Sequence, residues 1–157
     1  MPLTKDPFIN WKQLALKDKK AFCRKFFNEL SLKNIDLVEQ FYHVDAYFED
    51  PIGHHEGINS IKKYYSSIYG PVTEISFDFH DVIADKAIVS LPWIMKFKSS
   101  KLKRGESVKV KGFSLIKFCP DTHKVIYHRD YFDLGEMIYD NIPIFGRITK
   151  WIKKRLK

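Results

Sequence analysis

The sequence has few cysteines and no long apolar segment. Its two cysteines, Cys23 and Cys119, match no metal-binding or redox spacing and are too few for a disulfide framework, so we interpret them as reduced structural residues. No stretch approaches the roughly 20 apolar residues that span a bilayer. The first twenty residues lack the uninterrupted apolar run of a secretory signal. We therefore expect a cytoplasmic protein.

Motifs for metals, cofactors and nucleotides are also missing. The six histidines include the adjacent pair His54 and His55, but no spacing of the His-Glu-x-x-His type occurs. No glycine-rich loop is present that could hold a phosphate. We predict no metal and no cofactor.

Positive charge is concentrated in two segments. The net charge is +8, and residues 147–157 hold six cations and no acid; a second basic cluster covers residues 96–111. Nucleic-acid binding would also require a recognisable element that reads bases or backbone, and the sequence has none. We interpret the two segments as solvated basic faces and predict no nucleic-acid partner.

The sequence is rich in apolar and aromatic residues, at 45% and 15% of its 157 residues, which indicates one domain with a large core. Apolar residues at helical spacing predict a helix over residues 10–31, in one piece or two. We expect Asn34 to cap a second helix that runs to about His43. A third helix is predicted from Ile58 to Ile68.

From Val72 onward the apolar period changes to two, which is typical of strands with one wet face. After a short strand at 46–49, four long strands are predicted near residues 72–80, 89–97, 108–118 and 124–133. Pro92 indicates a bulge or a sheet edge. The order predicts an α+β fold, in which three N-terminal helices pack in the concavity of a strongly curved antiparallel sheet and enclose a cone-shaped pocket.

Residues 134–157 extend this 1–133 pocket domain. A short helix is predicted over Leu134–Asn141, and Pro143 is expected to break it. Beyond it, Ile148, Trp151, Ile152 and Leu156 form an apolar stripe among the cations, which predicts a basic amphipathic helix. Such a helix can make a weak peripheral contact with a membrane, or it can pack on the domain or on a partner. We favour packing.

Two segments resemble the nuclear transport factor 2-like superfamily, which includes ketosteroid isomerases, SnoaL-like polyketide cyclases and limonene epoxide hydrolases. They are residues 46–53 (Ala-Tyr-Phe-Glu-Asp-Pro-Ile-Gly), followed by Gly57, and residues 128–133 (His-Arg-Asp-Tyr-Phe-Asp). As an order of elements, the resemblance covers about residues 10–133. It implies the cone fold and its pocket. It implies little about function, because members include enzymes, binding modules and transport factors.

Asp50 is the first candidate for chemistry. It is in step with Ala46 and Phe48, so it should point inward at the end of the strand. In the ketosteroid isomerases that this stretch resembles, the matching Asp is the general base. A carboxylate at the lip of an apolar pocket suits proton abstraction, because loss of water contact makes it a stronger base. The alternative is an Asp-Pro turn whose carboxylate accepts hydrogen bonds from local amides.

The two strong hydrogen-bond donors of the ketosteroid isomerases have no counterpart. In register with that family, Phe26 stands near the position of the tyrosine donor, and Ser114 stands at the position of the protonated aspartate. Losing both donors would remove about 3 kcal/mol of electrostatic stabilisation per donor. This disfavours steroid isomerisation and leaves other reactions open.

His128 and Asp130 are expected to share the cavity face of the last strand with Ile126 and Phe132. They could form a pair in which Asp130 orients the imidazole and His128 acts as acid or base. Alternatively, Asp130 pairs with Arg129 or a lysine, and His128 is a pocket histidine with satisfied hydrogen bonds.

We thus predict first a protein that binds a small, largely apolar molecule. The second hypothesis is a cofactor-independent isomerase, cyclase, lyase or hydrolase that uses Asp50, His128 and Asp130. The third is a dimeric interaction module with a docking tail. A homodimer is expected through the outer sheet face near residues 109–115. The residues predicted to contact the ligand are Phe26, Phe48, Phe77, Trp93, Met95, Ser114 and Phe132.

Overall fold

The computed structural model describes residues 10–156. Within them the helices are α1 (Trp11–Lys17), α2 (Lys19–Glu29), α3 (Leu37–Phe41), α4 (Ile58–Tyr69), α5 (Leu134–Met137) and α6 (Pro143–Arg155). The strands are β1 (Tyr42–Glu49), β2 (His54–Glu56), β3 (Val72–Phe79), β4 (Ile83–Asp85), β5 (Ile88–Ser99), β6 (Val108–Phe118) and β7 (Val125–Phe132). Short 3-10 turns cover Leu32–Asn34, Lys103–Gly105 and Tyr139–Asn141.

The first predicted helix consists of two pieces, because Asp18 interrupts it. Asp18 has an extended backbone, and its Oδ1 accepts a hydrogen bond from the Ala21 amide at 3.0 Å, so it ends α1 and caps α2. The buried side of α2 contains Phe22, Cys23, Phe26 and Phe27. This helix therefore supplies a large part of the aromatic core.

The second predicted helix is shorter than expected and is not capped by Asn34. Asn34 lies in a 3-10 turn, where its Oδ1 accepts from the Ser31 amide at 2.7 Å. The α-helix begins only at Leu37 and ends at Phe41, and β1 already begins at Tyr42, four residues before the predicted strand. The β-sheet partner of Tyr42 on β7 explains the early start of the strand.

Helix α4 confirms the third predicted helix and is anchored by Gly57. The backbone of Gly57 has a φ of +76°, which residues other than glycine rarely adopt. Its amide donates to the Ala46 carbonyl at 2.8 Å. This bond holds the start of α4 against β1. The buried face of the helix contains Ile61 and the three tyrosines Tyr64, Tyr65 and Tyr69.

The strands form one curved, unclosed sheet in the order β2-β1-β7-β6-β5-β3, with β4 paired to β5. The four long strands predicted from the sequence are present as β3, β5, β6 and β7, and their pairings are antiparallel. One pairing departs from this pattern, since β1 runs parallel to β7. This parallel pair brings Phe48 next to His128, and so places the end of β1 beside the centre of β7.

Pro92 lies in an interior strand, where the sequence indicated a bulge or an edge. Its carbonyl accepts from the His80 amide at 3.1 Å, just beyond the end of β3, while β4 begins at Ile83. The proline therefore faces the gap between β3 and β4, where no ladder hydrogen bond requires its missing N–H.

Strand β7 has an irregularity between Val125 and Tyr127, where its register with β6 shifts. As a result Val125 is buried in the core, rather than Ile126.

The C-terminal extension contains the predicted basic helix as α6, whereas the helix predicted over Leu134–Asn141 is shorter: α5 ends at Met137 and a 3-10 turn follows at Tyr139–Asn141. Pro143 occupies the first turn of α6, where its missing N–H removes no helical hydrogen bond, so it starts this helix as well as ending the preceding segment. None of the helices within residues 10–156 has the length and apolarity required to cross a bilayer.

Candidate functional site

A cavity of about 300 Å³ lies between α4 and the concave face of the sheet. This volume is at the lower end of the range of about 300–1,000 Å³ that is typical of small-molecule sites. Its walls are mainly aromatic and aliphatic, and include Tyr65, Ile68, Ile75, Phe97 and Leu102. The cavity is thus suited in size and polarity to a small, largely apolar molecule.

Six of the seven residues predicted to contact a ligand line this cavity: Phe48, Phe77, Trp93, Met95, Ser114 and Phe132. Phe26 does not line it. Its ring is fully buried and stacks on Phe41 at a centroid distance of 3.9 Å, so it belongs to the aromatic core behind the cavity. The helical period placed Phe26 correctly inside, but a period does not distinguish a core position from a cavity wall.

Asp50 lines the cavity and points inward, as its alternation with Ala46 and Phe48 predicts. Its Oδ1 accepts from the backbone amides of Ile52 at 2.7 Å and Gly53 at 3.0 Å, and its Oδ2 accepts from the Tyr64 hydroxyl. These are the hydrogen bonds of a turn-capping carboxylate. Both of its oxygens are engaged, which favours the structural interpretation of Asp50 over the catalytic one.

Asp130 lines the cavity at the centre of a second hydrogen-bond network. Its Oδ1 accepts from Nε2 of His128 at 2.7 Å and from the hydroxyl of Ser114, which itself accepts from Nε1 of Trp93 at 2.8 Å. Its Oδ2 has no hydrogen-bond partner within residues 10–156. Asp130 therefore presents one unoccupied carboxylate oxygen to an apolar cavity while the other is held in place.

Asp130 pairs with His128, which is the arrangement that an acid–base role of His128 would require. The alternative pairing with Arg129 does not occur, because this guanidinium lies on the other face of β7, 3.3 Å from the Glu49 carboxylate. His128 itself is not part of the cavity wall. It is fully buried behind Asp130 and packs edge-on against Phe48.

Two buried tyrosines continue the network behind His128. The Tyr42 hydroxyl lies 2.5 Å from Nδ1 of His128 and 2.9 Å from the Tyr65 hydroxyl. Burial raises the pKa of both tyrosines well above the ordinary value, so both remain protonated at neutral pH. Every donor is satisfied when Tyr65 donates to Tyr42, Tyr42 to Nδ1, and Nε2–H of His128 to Asp130. The imidazole of His128 thus connects the cavity carboxylate to a buried phenol pair.

The sequence-based reasoning did not assign three tyrosines of α4 to the cavity wall: Tyr64, Tyr65 and Tyr69. Burial, reinforced by the hydrogen bond to Asp50, raises the pKa of Tyr64, and burial together with the negative charge of Asp130 raises the pKa of Tyr69. Tyr69 differs from Tyr42, Tyr64 and Tyr65, because its hydroxyl has no hydrogen-bond partner within residues 10–156. The available signal was the concentration of tyrosine on the buried face of α4, where aliphatic residues would pack equally well.

For a ligand, the mainly apolar wall offers the free Oδ2 of Asp130 as acceptor and the hydroxyl of Tyr69 as donor; Ser99 and Lys101 also line the cavity. Within residues 10–156, no group of three or more His, Cys, Asp or Glu side chains is placed to hold a metal ion. The residues present can therefore exchange a proton or orient a polar group in surroundings of low polarity.

Comparison with solved structures places the chain among known folds. A candidate SnoaL-like polyketide cyclase from Shewanella denitrificans aligns over 85% of this chain and 96% of its own, with a TM-score of 0.66 and 18% identity. A protein with a ketosteroid isomerase-like fold from Catenulispora acidiphila, in complex with trimethylamine, aligns over 78% and 89%, with a TM-score of 0.63 and 11% identity. An LEH-like epoxide hydrolase from Mycobacterium tuberculosis aligns over 82% and 89%, with a TM-score of 0.61 and 19% identity. At these identities the likeness shows the fold alone.

No curated protein matches the sequence. The SnoaL-like domain family matches residues 23–128, which is more than half of the chain and includes the whole of α4, β1 and the strands up to His128. The resemblance to the nuclear transport factor 2-like superfamily is thereby confirmed. Proteins with this fold are small-molecule binders or isomerases, cyclases and hydrolases. The chain belongs to the SnoaL-like domain family.

Proposed function

We propose that the protein binds a small, largely apolar molecule that has one polar group, such as a hydroxyl or a carbonyl. The observation that carries the proposal is the cavity of about 300 Å³, whose mainly apolar wall includes Asp130 with one free carboxylate oxygen and Tyr69 with a free hydroxyl. Apolar burial contributes about 25 cal/mol per Å² to affinity, and the two polar groups select orientation. Asp50 has a supporting role, because its turn holds Tyr64 in the cavity wall.

Binding can be measured with the apolar dye N-phenyl-1-naphthylamine, whose fluorescence rises in apolar sites. Phe132→Arg places a charge in the cavity, whereas Tyr131→Arg places the same charge on the neighbouring residue, which is exposed on the opposite face of β7. We expect at least a tenfold loss of dye affinity in the first variant and little change in the second. A third variant, Met95→Trp, reduces the cavity volume without adding charge and should also weaken binding.

Unchanged dye affinity in both Phe132→Arg and Met95→Trp, with native circular dichroism spectra, would refute the proposal. Mass spectrometry of the purified protein under native conditions would identify a molecule that remains bound. The expected class is a compound with an apolar skeleton and a single oxygen function.

The hydrogen-bonded His128–Asp130 pair favours a second candidate function, acid–base turnover of the bound molecule. In this function Oδ2 of Asp130 removes a proton from carbon next to a carbonyl group. The C–H bond breaks, its electron pair moves toward the carbonyl oxygen, and the Tyr69 hydroxyl donates a hydrogen bond to the developing negative charge. His128 holds Oδ1 in position through its Nε2.

Proton abstraction can be tested without knowledge of the natural substrate. An apolar ketone such as menthone, incubated with the protein in D₂O, should gain deuterium next to the carbonyl, as followed by NMR. The Asp130→Asn variant should lose this exchange, and Asp50→Asn should retain most of it. Absence of exchange above the buffer rate for menthone and for other apolar ketones that displace the dye would exclude this second function and leave binding alone.

A further inference from the structure

Helix α6 packs through its polar side on the 3-10 turn that precedes it, Tyr139–Asn141. Gly146 is buried against the Asp140 carbonyl, and the Thr149 hydroxyl donates to the Asp140 carboxylate. Nζ of Lys153 lies 3.1 Å from the same carboxylate. Positions 146, 149 and 153 are spaced three and four apart, so they lie on one side of the helix. The contacts thus fix which side of α6 faces the preceding 3-10 turn.

The opposite side of α6 is apolar and exposed. In the structure the apolar stripe consists of Ile144, Ile148, Trp151 and Ile152, because Leu156 lies beyond the last residue of α6; these side chains are between 45% and 71% exposed. At 100° per residue they fall within an arc of about 100°, centred well away from the side that contacts Asp140. A helix in a globular protein normally turns such a face inward. Here the polar side contacts the preceding 3-10 turn, and the stripe is left largely exposed among residues 10–156.

The charge of the segment is strongly positive. Residues 147–157 contain Arg147, Lys150, Lys153, Lys154, Arg155 and Lys157 and no acid. Within residues 10–156, Lys153 is the one cation of this helix that has a carboxylate partner, Asp140. The helix therefore combines an exposed apolar stripe with mostly unneutralised basic flanks.

We propose that α6 docks the protein on an anionic lipid surface, with the apolar stripe inserted at the boundary between headgroups and acyl chains. A bilayer supplies negative headgroups and an apolar layer at adjacent depths, which matches the two properties of the helix. Each cation near such a surface contributes about 1 kcal/mol. A second copy of this chain fits less well, since pairing two α6 helices would bring their cations together.

Docking would also bring the cavity near the membrane, a part of the inference that rests on the proposed function. Met137 and Ile138 line the cavity and are separated from Pro143 only by a short turn. A bilayer is the place where a largely apolar ligand accumulates. The docked helix thus holds the rim of the cavity close to the source of such a ligand.

Vesicle flotation tests the docking directly. The wild-type protein should float with vesicles of phosphatidylcholine and phosphatidylserine, and binding should fall at least tenfold with phosphatidylcholine alone, in high salt, or in the Trp151→Glu variant. Ile83→Glu is the matched control, because Ile83 is a similarly exposed apolar residue on β4. It should bind anionic vesicles like the wild type.

Failure of the wild type to float, equal binding to uncharged vesicles, or retained binding by Trp151→Glu would overturn the proposal. So would light scattering in which Trp151→Glu converts a dimer to a monomer, because the stripe would then contact a second copy. Transfer of N-phenyl-1-naphthylamine tests the link to the cavity. Uptake from anionic vesicles should slow in Trp151→Glu, while uptake from buffer should not change. Equal transfer rates would refute the link, whereas failure of uptake from buffer in both proteins would refute only the proposed function.

Discussion

Removing single hydroxyl groups from two buried tyrosines tests whether Tyr69 binds the ligand while Tyr42 stabilises the fold. Tyr42 and Tyr69 are both buried, at 1% and 6% exposure. The hydroxyl of Tyr42 has two hydrogen-bond partners, Tyr65 and His128, whereas that of Tyr69 has none within residues 10–156. Substitution by phenylalanine removes the same atom in both places, so the two variants form a matched pair.

The expected changes in stability follow from this difference. A hydrogen bond contributes about 0.5–1.5 kcal/mol net, so Tyr42→Phe should lower the free energy of unfolding by about 1–3 kcal/mol. It also leaves Nδ1 of the buried His128 without a partner, which increases the loss. Tyr69→Phe removes no protein hydrogen bond and should change the free energy of unfolding by less than about 0.5 kcal/mol. Urea titrations followed by circular dichroism measure both values.

Ligand affinity should show the opposite pattern for Tyr69. Menthone and p-menthane differ by one carbonyl oxygen, and both can be measured by displacement of N-phenyl-1-naphthylamine. Tyr69→Phe should weaken the binding of menthone by about five- to tenfold, which corresponds to the loss of one hydrogen bond of about 1–1.4 kcal/mol. The affinity for p-menthane should not change. If Tyr69→Phe destabilised the fold as much as Tyr42→Phe, or weakened both ligands equally, the assignment of Tyr69 as a free donor would be refuted.

Three further substitutions or reactions test other parts of the structure. A Cβ at Gly112 would lie 2.0 Å from the ring of Trp93, so Gly112→Ala should displace this ring. The free energy of unfolding in urea titrations should fall by about 1–3 kcal/mol, and dye binding should weaken. An unchanged dye affinity would contradict this packing. The hydroxyl and amide of Thr122 lower the pKa of Cys119, so its thiolate fraction at neutral pH exceeds that of free cysteine. One thiol per chain should therefore react quickly with Ellman's reagent, while the buried Cys23 reacts only in denaturant. Asp50→Asn keeps an acceptor for the turn amides but a weaker one, so the free energy of unfolding should fall by about 0.5–1 kcal/mol; a gain in stability would instead support the catalytic interpretation.

Local patterns were sufficient to predict most of the fold. Alternation along β3, β5, β6 and β7 indicated which side chains face inward, because successive residues of a strand point to opposite faces. The same rule placed Asp50, Ser114 and Asp130 in the cavity, and the motif at residues 46–53 with its companion at 128–133 identified the superfamily. The periodicity of α6 likewise predicted an amphipathic helix before any contact was known.

The remaining features depend on residues far apart in the chain. The parallel pairing of β1 with β7 brings Tyr42 to His128, 86 positions later, and no local pattern predicts which strands will pair. Phe26 and Phe48 are equally apolar, yet only the tertiary packing puts Phe26 against Phe41 in the core and Phe48 on the cavity wall. The role of Asp50 likewise depends on Tyr64, which the fold of α4 brings to its second oxygen. Hydrophobic periodicity specifies which face of an element is buried, whereas hydrogen-bond partners arise only when distant elements meet.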